Sequence, residues 1–144
     1  MAFTYKITVF TPTYNRAYII EDLYRSLQRQ TYRDFEWLVV DDGSADNTKE
    51  LFERWQQEYN PFPIRYVRQE NGGKCRAINR GLELAEGRLF LNVDSDDYLT
   101  DDAIEKILSC YPAMAKRSLA GAKGFSWKRI VRQYQEIYQN LVSH

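Results

Sequence analysis

A chain of 144 residues, 44% apolar and 28% charged, has the length and balance of one globular domain able to bury roughly 70% of its unfolded surface. Its 20 basic residues cancel its 20 acidic ones, which excludes a global field that would attract nucleic acid or anionic lipid. No run approaches the roughly 18 apolar residues of a membrane span, and Tyr5 to Phe10 reads as a strand rather than a signal peptide.

Ile7-Thr8-Val9-Phe10 is a β-branched run stopped by Thr11-Pro12, and predicts the first strand. Ile20, Leu23, Tyr24 and Leu27 follow at helical spacing, with Asn15 as the expected cap. Residues 35–40 are nearly all apolar, as in a strand covered on both faces, and end in the turn Asp41-Asp42-Gly43-Ser44. Asn47 with Glu50 resembles a capping box, and Leu51, Phe52, Trp55 and Tyr59 give the second helix its stripe. Pro61 and Pro63 precede a third strand over residues 64–67. Asn71-Gly72-Gly73 turns into a helix carrying Cys75, Ile78 and Leu82, closed near Gly87. Residues 89–93 form the fourth strand and run into Asp94-Ser95-Asp96-Asp97. Thr100 is the expected cap of a fourth helix, with Asp101 and Asp102 in its first turn, where the helix dipole favours negative charge. Ile104, Ile107, Leu108 and Tyr111 supply its stripe and Pro112 its expected end.

This alternation predicts an α/β fold, a mainly parallel sheet flanked by helices. Ligands of such sheets sit at the carboxyl ends of the strands. Three of the four strands end in polar clusters, at residues 11–15, 41–44 and 94–97. The two cysteines, Cys75 and Cys110, are too few for a disulfide framework and fit a reducing cytoplasm. The one histidine is His144, so the chemistry is expected to rest on carboxylates, amides and backbone groups.

Two carboxylates one residue apart at the end of a buried strand can share a divalent cation and a ribose. Asp96 is the better metal ligand, while Asp94 can accept from ribose hydroxyls or support the metal. A hard cation such as Mg²⁺ or Mn²⁺ prefers oxygen ligands and often takes one or two carboxylates plus substrate phosphates. The same residues also read as an acidic solvated loop before a helix. Asp41-Asp42 is either local turn chemistry or the acceptor for a uracil imide N–H. Gly72-Gly73-Lys74 is either a plain loop or a presentation of backbone N–H groups and a cation to phosphate.

In order along the chain stand Thr11-Pro12-Thr13-Tyr14-Asn15, Gln30-Thr31-Tyr32-Arg33-Asp34-Phe35-Glu36, Val39-Val40-Asp41-Asp42-Gly43-Ser44, Gln69-Glu70-Asn71-Gly72-Gly73-Lys74, Asn79-Arg80-Gly81 and Asp94-Ser95-Asp96-Asp97. This series closely resembles family 2 glycosyltransferases over about residues 5–111. The resemblance implies a GT-A, Rossmann-like fold, a nucleotide-diphosphate sugar donor with UDP as the expected nucleotide, and Mg²⁺ or Mn²⁺ bound through the Asp-x-Asp segment. By position, Pro12, Thr13 and Tyr14 would line the nucleoside pocket and Asp42 (or Asp41) would meet the base. Lys74 would lie near the diphosphate or base, Asp94 and Ser95 would contact the nucleotide sugar, and Asp96 with Asp94 would hold the metal. The implied reaction is in-line displacement at the anomeric carbon with inversion, in polysaccharide or other surface glycan biosynthesis.

The family also needs a carboxylate base downstream, on the segment that shapes the acceptor site. Beyond Glu105 the only acid is Glu136, and no further strand is readable. The acceptor half is therefore expected to be missing and no catalytic base is assigned; a truncated nucleotide-sugar-binding module is the alternative function. Residues 1–112 would form the binding domain and 113–144 a helical tail. Met114-Ala115-Lys116-Arg117 and Phe125-Ser126-Trp127, with a stripe of Ile130, Tyr134, Ile137, Tyr138 and Leu141, resemble the closing segment of family 4, GT-B glycosyltransferases. That stripe would cover exposed sheet, or meet a second copy or a partner subunit. A receiver-like signalling domain, which also clusters aspartates at strand ends, would carry them after its first strand, where this chain has Thr-Pro-Thr-Tyr-Asn.

Overall fold

Four short runs rich in β-branched and aromatic residues become strands: β1 (Tyr5–Thr13), β2 (Phe35–Asp41), β3 (Ile64–Arg68) and β4 (Gly87–Asn92). In this computed structural model they pair wholly in parallel, in the order β3-β2-β1-β4. The helices between and after them are α1 (Ile20–Gln28), α2 (Thr48–Gln57), α3 (Lys74–Leu84) and α4 (Ala103–Gly124). The structure describes residues 2–124, with side chains for residues 2–113. The Phe125-Ser126-Trp127 segment and the striped helix expected after it, which carry the family 4 likeness and the dimer contact, lie outside the described residues.

β1 runs past its expected stop because Pro12 falls where no ladder donor is needed. The Phe10 carbonyl accepts from Val93 N–H on the β4 side, at 2.8 Å, and Pro12, two residues on, faces the same side. Pairing with β4 has ended at Phe10↔Asn92, so the missing N–H leaves no partner stranded. On the other side β1 stays paired with β2 through Thr13↔Asp41.

Every residue of β2 is buried, which accounts for its unbroken apolar run. On one face Trp37 lies among Tyr24 of α1 and Phe52 and Trp55 of α2, with ring centroids 6.0, 5.2 and 6.1 Å away. Its Nε1–H donates to Thr11 Oγ1 at 3.0 Å. On the other face Phe10, Leu38 and Val40 pack with Ala77 of α3. The expected α3 stripe of Cys75, Ile78 and Leu82 is not what this helix buries: Ala77 and Gly81 are buried, Cys75 is exposed and Leu82 is 55% exposed. A Cβ on Gly81 would stand 2.2 Å from the Phe10 ring. Small residues let the helix approach the sheet closely, a contact that the spacing of large apolar residues does not report.

Other local expectations change for equally local reasons. Asn15 does not cap α1; it takes φ 52°, and its Oδ1 accepts from Ala45 N–H at 2.7 Å. The Asn47–Glu50 capping box is not made; Asp46 Oδ1 instead accepts from the N–H and hydroxyl of Thr48. Tyr59 lies past the end of α2 and is 90% exposed. The Thr100 hydroxyl turns to Asp102, and the α4 start at Ile104 N–H is taken by Gln30 Oε1, 3.1 Å away. Pro112 does not end α4, which continues to Gly124. A proline removes one intrahelical bond, and Ala113, Ala115, Ala120 and Ala122 beyond it are the strongest helix formers. The compact unit that carries the sheet ends at Glu105. No helix among the described residues is long and apolar enough to cross a membrane.

At the amino-terminal edge of the sheet the chain buries a carboxylate. Glu36, fully buried, accepts from Thr8 Oγ1 (2.6 Å), Glu86 N–H (2.8 Å) and Arg65 Nη1 (2.8 Å). Thr8 Oγ1 in turn accepts from Gly87 N–H at 2.8 Å. One side chain thus ties β2 to β1, to β3 and to the entry of β4, at the end of the sheet away from the polar loops.

Candidate functional site

From β1 the chain steps outward to β2 and β3, then returns to place β4 on the opposite side of β1. This reversal makes the carboxyl ends of β1 and β4 the switch point of the sheet, where a crevice must open. The overhang of β1 beyond its last β4 partner enlarges it. The cleft there has a volume of about 450 Å³. Pro12, Thr13, Tyr14 and Arg16 line it from the end of β1, and Asp42 from the end of β2. Asn71, Gly73, Lys74 and Ala77 come from the start of α3, and Asp94, Ser95 and Asp96 from the end of β4.

The fold therefore brings Pro12, Thr13, Tyr14, Asp42, Lys74, Asp94, Ser95 and Asp96 to one place, and leaves Asp41 out of it. Asp41 is fully buried, where it accepts from the N–H and hydroxyl of Ser44 and from the Tyr66 hydroxyl. It shapes the turn after β2. Burial, and then the bond to Asp41, push the Tyr66 phenol far above its ordinary value.

Asp42 reaches the cleft with much of its acceptor capacity already used. Its Oδ1 accepts from Gln69 Nε2 at 2.8 Å and Gly72 N–H at 2.9 Å, and its Oδ2 from Gly73 N–H at 2.7 Å. The carboxylate thereby pins the loop that delivers Lys74. Burial pushes the Asp42 carboxyl up, but the bonds from Gln69, Gly72 and Gly73 and the charge of Arg76 outweigh it, leaving the group below the ordinary carboxylate range. Asp46 is lowered in the same way, by the Thr48 hydroxyl and by backbone N–H groups acting against burial. Carboxyls depressed on folding stabilise the protein above their ordinary value of 3.8, and that contribution is lost as pH falls through the lower folded-state value. Denaturant titrations across the acid range are expected to show stability falling with pH, with a shallower fall in Asp42→Asn. An unchanged slope in that variant would contradict the assignment.

Among the described residues, two buried side-chain oxygens of the cleft lining have no hydrogen-bond partner, Thr13 Oγ1 and Asp94 Oδ1. Such atoms are costly to leave bare. Both oxygens of Asp94 lie 2.8 Å from Lys74 Nζ, but the hydrogen bond runs to Oδ2 and Oδ1 receives none. Carboxylate oxygens of Asp94, Asp96 and Asp97 all lie within 4.8 Å of one another. An all-oxygen, all-anionic set of this kind suits a hard cation, so the residues present fit Mg²⁺ or Mn²⁺. The sequence reading placed Asp94 and Asp96 on the metal and not Asp97; only the turn after β4 shows that the third carboxylate folds back toward the others. Arg16 was missed as well, because a single arginine in a loop carries no pattern. Its place depends on the left-handed turn at Asn15.

Gln30, read only as part of a motif, does not line the cleft and is fully buried. Its amide donates to the carbonyls of Ser26 and Thr100 at 3.1 and 2.7 Å, anchoring the segment that follows the acidic turn.

Comparison with known proteins bears on the family and the fold. The family model described as Glycosyl transferase family 2 matches residues 8–116. The putative teichuronic acid biosynthesis glycosyltransferase TuaG of Bacillus subtilis is 35% identical over 114 residues, covering 79% of this chain and 44% of that protein. The crystal structure of Staphylococcus aureus TarS 1–349 in complex with UDP-GlcNAc superposes with a TM-score of 0.66 at 33% identity, over 72% of this chain and 30% of that one. The mannosyltransferase PcManGT of Pyrobaculum calidifontis, in complex with GDP-Man and Mn²⁺, gives 0.62 at 33% identity, over 67% and 29%. The chain thus spans less than half the length of these relatives. With the motif series, the parallel sheet and the switch-point cleft in agreement with these matches, the chain belongs to glycosyltransferase family 2 and carries its GT-A fold.

Proposed function

We propose that the cleft binds a nucleotide-diphosphate sugar, with UDP as the nucleotide, for metal-dependent transfer of the sugar to an acceptor hydroxyl with inversion. The observation that carries this reading is a switch-point cleft lined by Asp94 and Asp96, whose carboxylates cluster with that of Asp97, with the buried Thr13 Oγ1 left without a hydrogen bond among the described residues. Residues 1–112 are the donor-binding part in this reading and 113–144 a helical tail. Pro12, Thr13 and Tyr14 hold the nucleoside, and Asp42 meets the base while keeping the Gly72-Gly73 loop in place. Asp94 and Ser95 take the ribose and sugar side, and Lys74 the diphosphate. Asp96 and Asp94 would hold Mg²⁺ or Mn²⁺, with Asp97 added from the geometry. A bound ion would stabilise the charge that develops on the leaving diphosphate. The acceptor oxygen forms its bond to the anomeric carbon as the bond to the diphosphate oxygen breaks on the opposite side, the hydroxyl's proton passing to a base that a partner or a second copy supplies. TuaG's name, which places it in teichuronic acid biosynthesis, supports a role in polysaccharide biosynthesis, and the UDP-GlcNAc complex of TarS supports a UDP-sugar donor.

Among the described residues the carboxylates lining the cleft are Asp42, Asp94 and Asp96, and each is committed in this reading. None is left to take the acceptor's proton, which favours a second reading: a module that binds nucleotide sugar without transferring it. Turnover of labelled UDP-sugar separates the two.

Calorimetric titration with UDP, with and without Mn²⁺, tests the site itself, with GDP and dTDP as comparison nucleotides. The expected result is Mn²⁺-dependent UDP binding that weakens about a hundredfold in Asp96→Ala. No binding of any of the three nucleotides would sink the proposal.

A further inference from the structure

We propose that Lys74 is an internal stand-in for the divalent cation, competing with it for Asp94 and released toward the donor's diphosphate when the metal binds. This inference rests on the donor-site reading above and extends it to the order of events in the cleft.

Lys74 Nζ lies 2.8 Å from both oxygens of Asp94, one of the two carboxylates, with Asp96, that the acidic cluster shares with the cleft. An ammonium supplies one charge and a directional bond. It hydrogen-bonds Oδ2 and meets the buried Oδ1 through charge alone. A divalent cation brings twice the charge and needs no donor alignment, so it can engage that oxygen while drawing on the neighbouring carboxylates, all within 4.8 Å. Two cations on one carboxylate repel each other, so the charge of Lys74 weakens the metal's hold on Asp94, and the doubly charged metal weakens the lysine's proportionally more.

The lysine is also built to leave. Its side chain is 56% exposed, so no packing fixes it against Asp94. It is the first residue of α3 and follows Gly73, whose φ is +91° with open space around the position of a Cβ. Once displaced, the ammonium remains in the cleft that Lys74 lines, where an anionic diphosphate is the partner of matching charge. Metal binding therefore frees a phosphate ligand, and diphosphate binding removes a competitor of the metal. By linkage each must strengthen the other by the same factor.

Mn²⁺ affinity, read from the paramagnetic resonance of free Mn²⁺, would be compared in wild type, Lys74→Met and Lys74→Arg, with and without saturating UDP. Thermal melts would confirm that all three are folded. Without nucleotide, Lys74→Met is expected to bind Mn²⁺ roughly two- to fivefold more tightly, the range of a solvent-exposed ion pair. The same variant should bind UDP about tenfold more weakly, as expected for a lost hydrogen bond to a charged group. Lys74→Arg, which keeps the competing charge, should retain wild-type Mn²⁺ affinity. Unchanged or weaker Mn²⁺ binding by Lys74→Met, or tightening by Lys74→Arg as well, would overturn the proposal while the donor-site reading stands. Wild type that binds no Mn²⁺ even with UDP would sink both.

Discussion

Replacing Glu36 with alanine is expected to cost about 3 kcal/mol of folding stability, the lower end of the range for breaking one side of a buried ion pair. The carboxylate is fully buried and accepts from Thr8, Glu86 N–H and Arg65. Removing it leaves a hydroxyl and a backbone N–H without their partner inside the sheet. Arg65 is the part that recovers: its side chain is 31% exposed, it keeps an ion pair with Glu86 at 3.3 Å, and it can turn to water. Glu36→Gln keeps an acceptor for Thr8 or Glu86 and should cost clearly less. Urea titrations of the two variants would decide this. Equal and small losses would mean the network is dispensable to the sheet.

A comparable loss, about 3–5 kcal/mol, is expected for Trp37→Ala, as for other buried aromatic truncations. Trp37 is fully buried and stands where α1 and α2 meet the sheet, against Tyr24, Phe52 and Trp55. Alanine would leave a void between two helices and one strand, lined by rings that cannot collapse together without moving a helix. Thr11 Oγ1, which lies on β1 just before the cleft, would lose its indole donor. Trp37→Phe retains the ring packing but not that bond, and should lose a smaller part. Denaturation by guanidinium with both near- and far-ultraviolet dichroism is the measurement. A Trp37→Ala loss below about 1 kcal/mol would show that the cluster packs loosely.

These two sites share an address that composition alone conceals. Residues 35–41 form one strand, and its alternate side chains face different worlds: Phe35, Trp37 and Val39 one core, Glu36, Leu38 and Val40 the other. An acid within an apolar run reads as a flaw in the pattern. The structure shows it as the hub that joins β1, β3 and the start of β4.

Much of the fold was legible in the residues. Strand positions came within a few residues, because buried parallel strands concentrate β-branched and aromatic side chains. The large-residue stripe of α1 fell on its buried face, and so did that of α2 apart from Tyr59. The stripe of α3 did not, since a helix held close by Ala77 and Gly81 leaves no such signal. Caps failed at Asn15, Asn47 and Thr100: Asn15 is drawn to Ala45 N–H, the adjacent Asp46 takes the Thr48 N–H in place of Asn47, and Gln30 at the end of α1 takes that of Ile104.

By itself the sequence determined the alternating order of elements, the polar ends of three strands, and a motif series specific enough to name the family. Those features are local, written in spacing and residue type within single elements. Tertiary structure alone decided which motif residues work together: that Asp42 and not Asp41 faces the cleft, that Asp97 joins Asp94 and Asp96, that Lys74 sits on Asp94, and that Arg16 lines the pocket. Each of these depends on contacts between segments 20 or more residues apart or on a turn that redirects a side chain. The pairing order of the strands sets such contacts, and no window along the chain contains it.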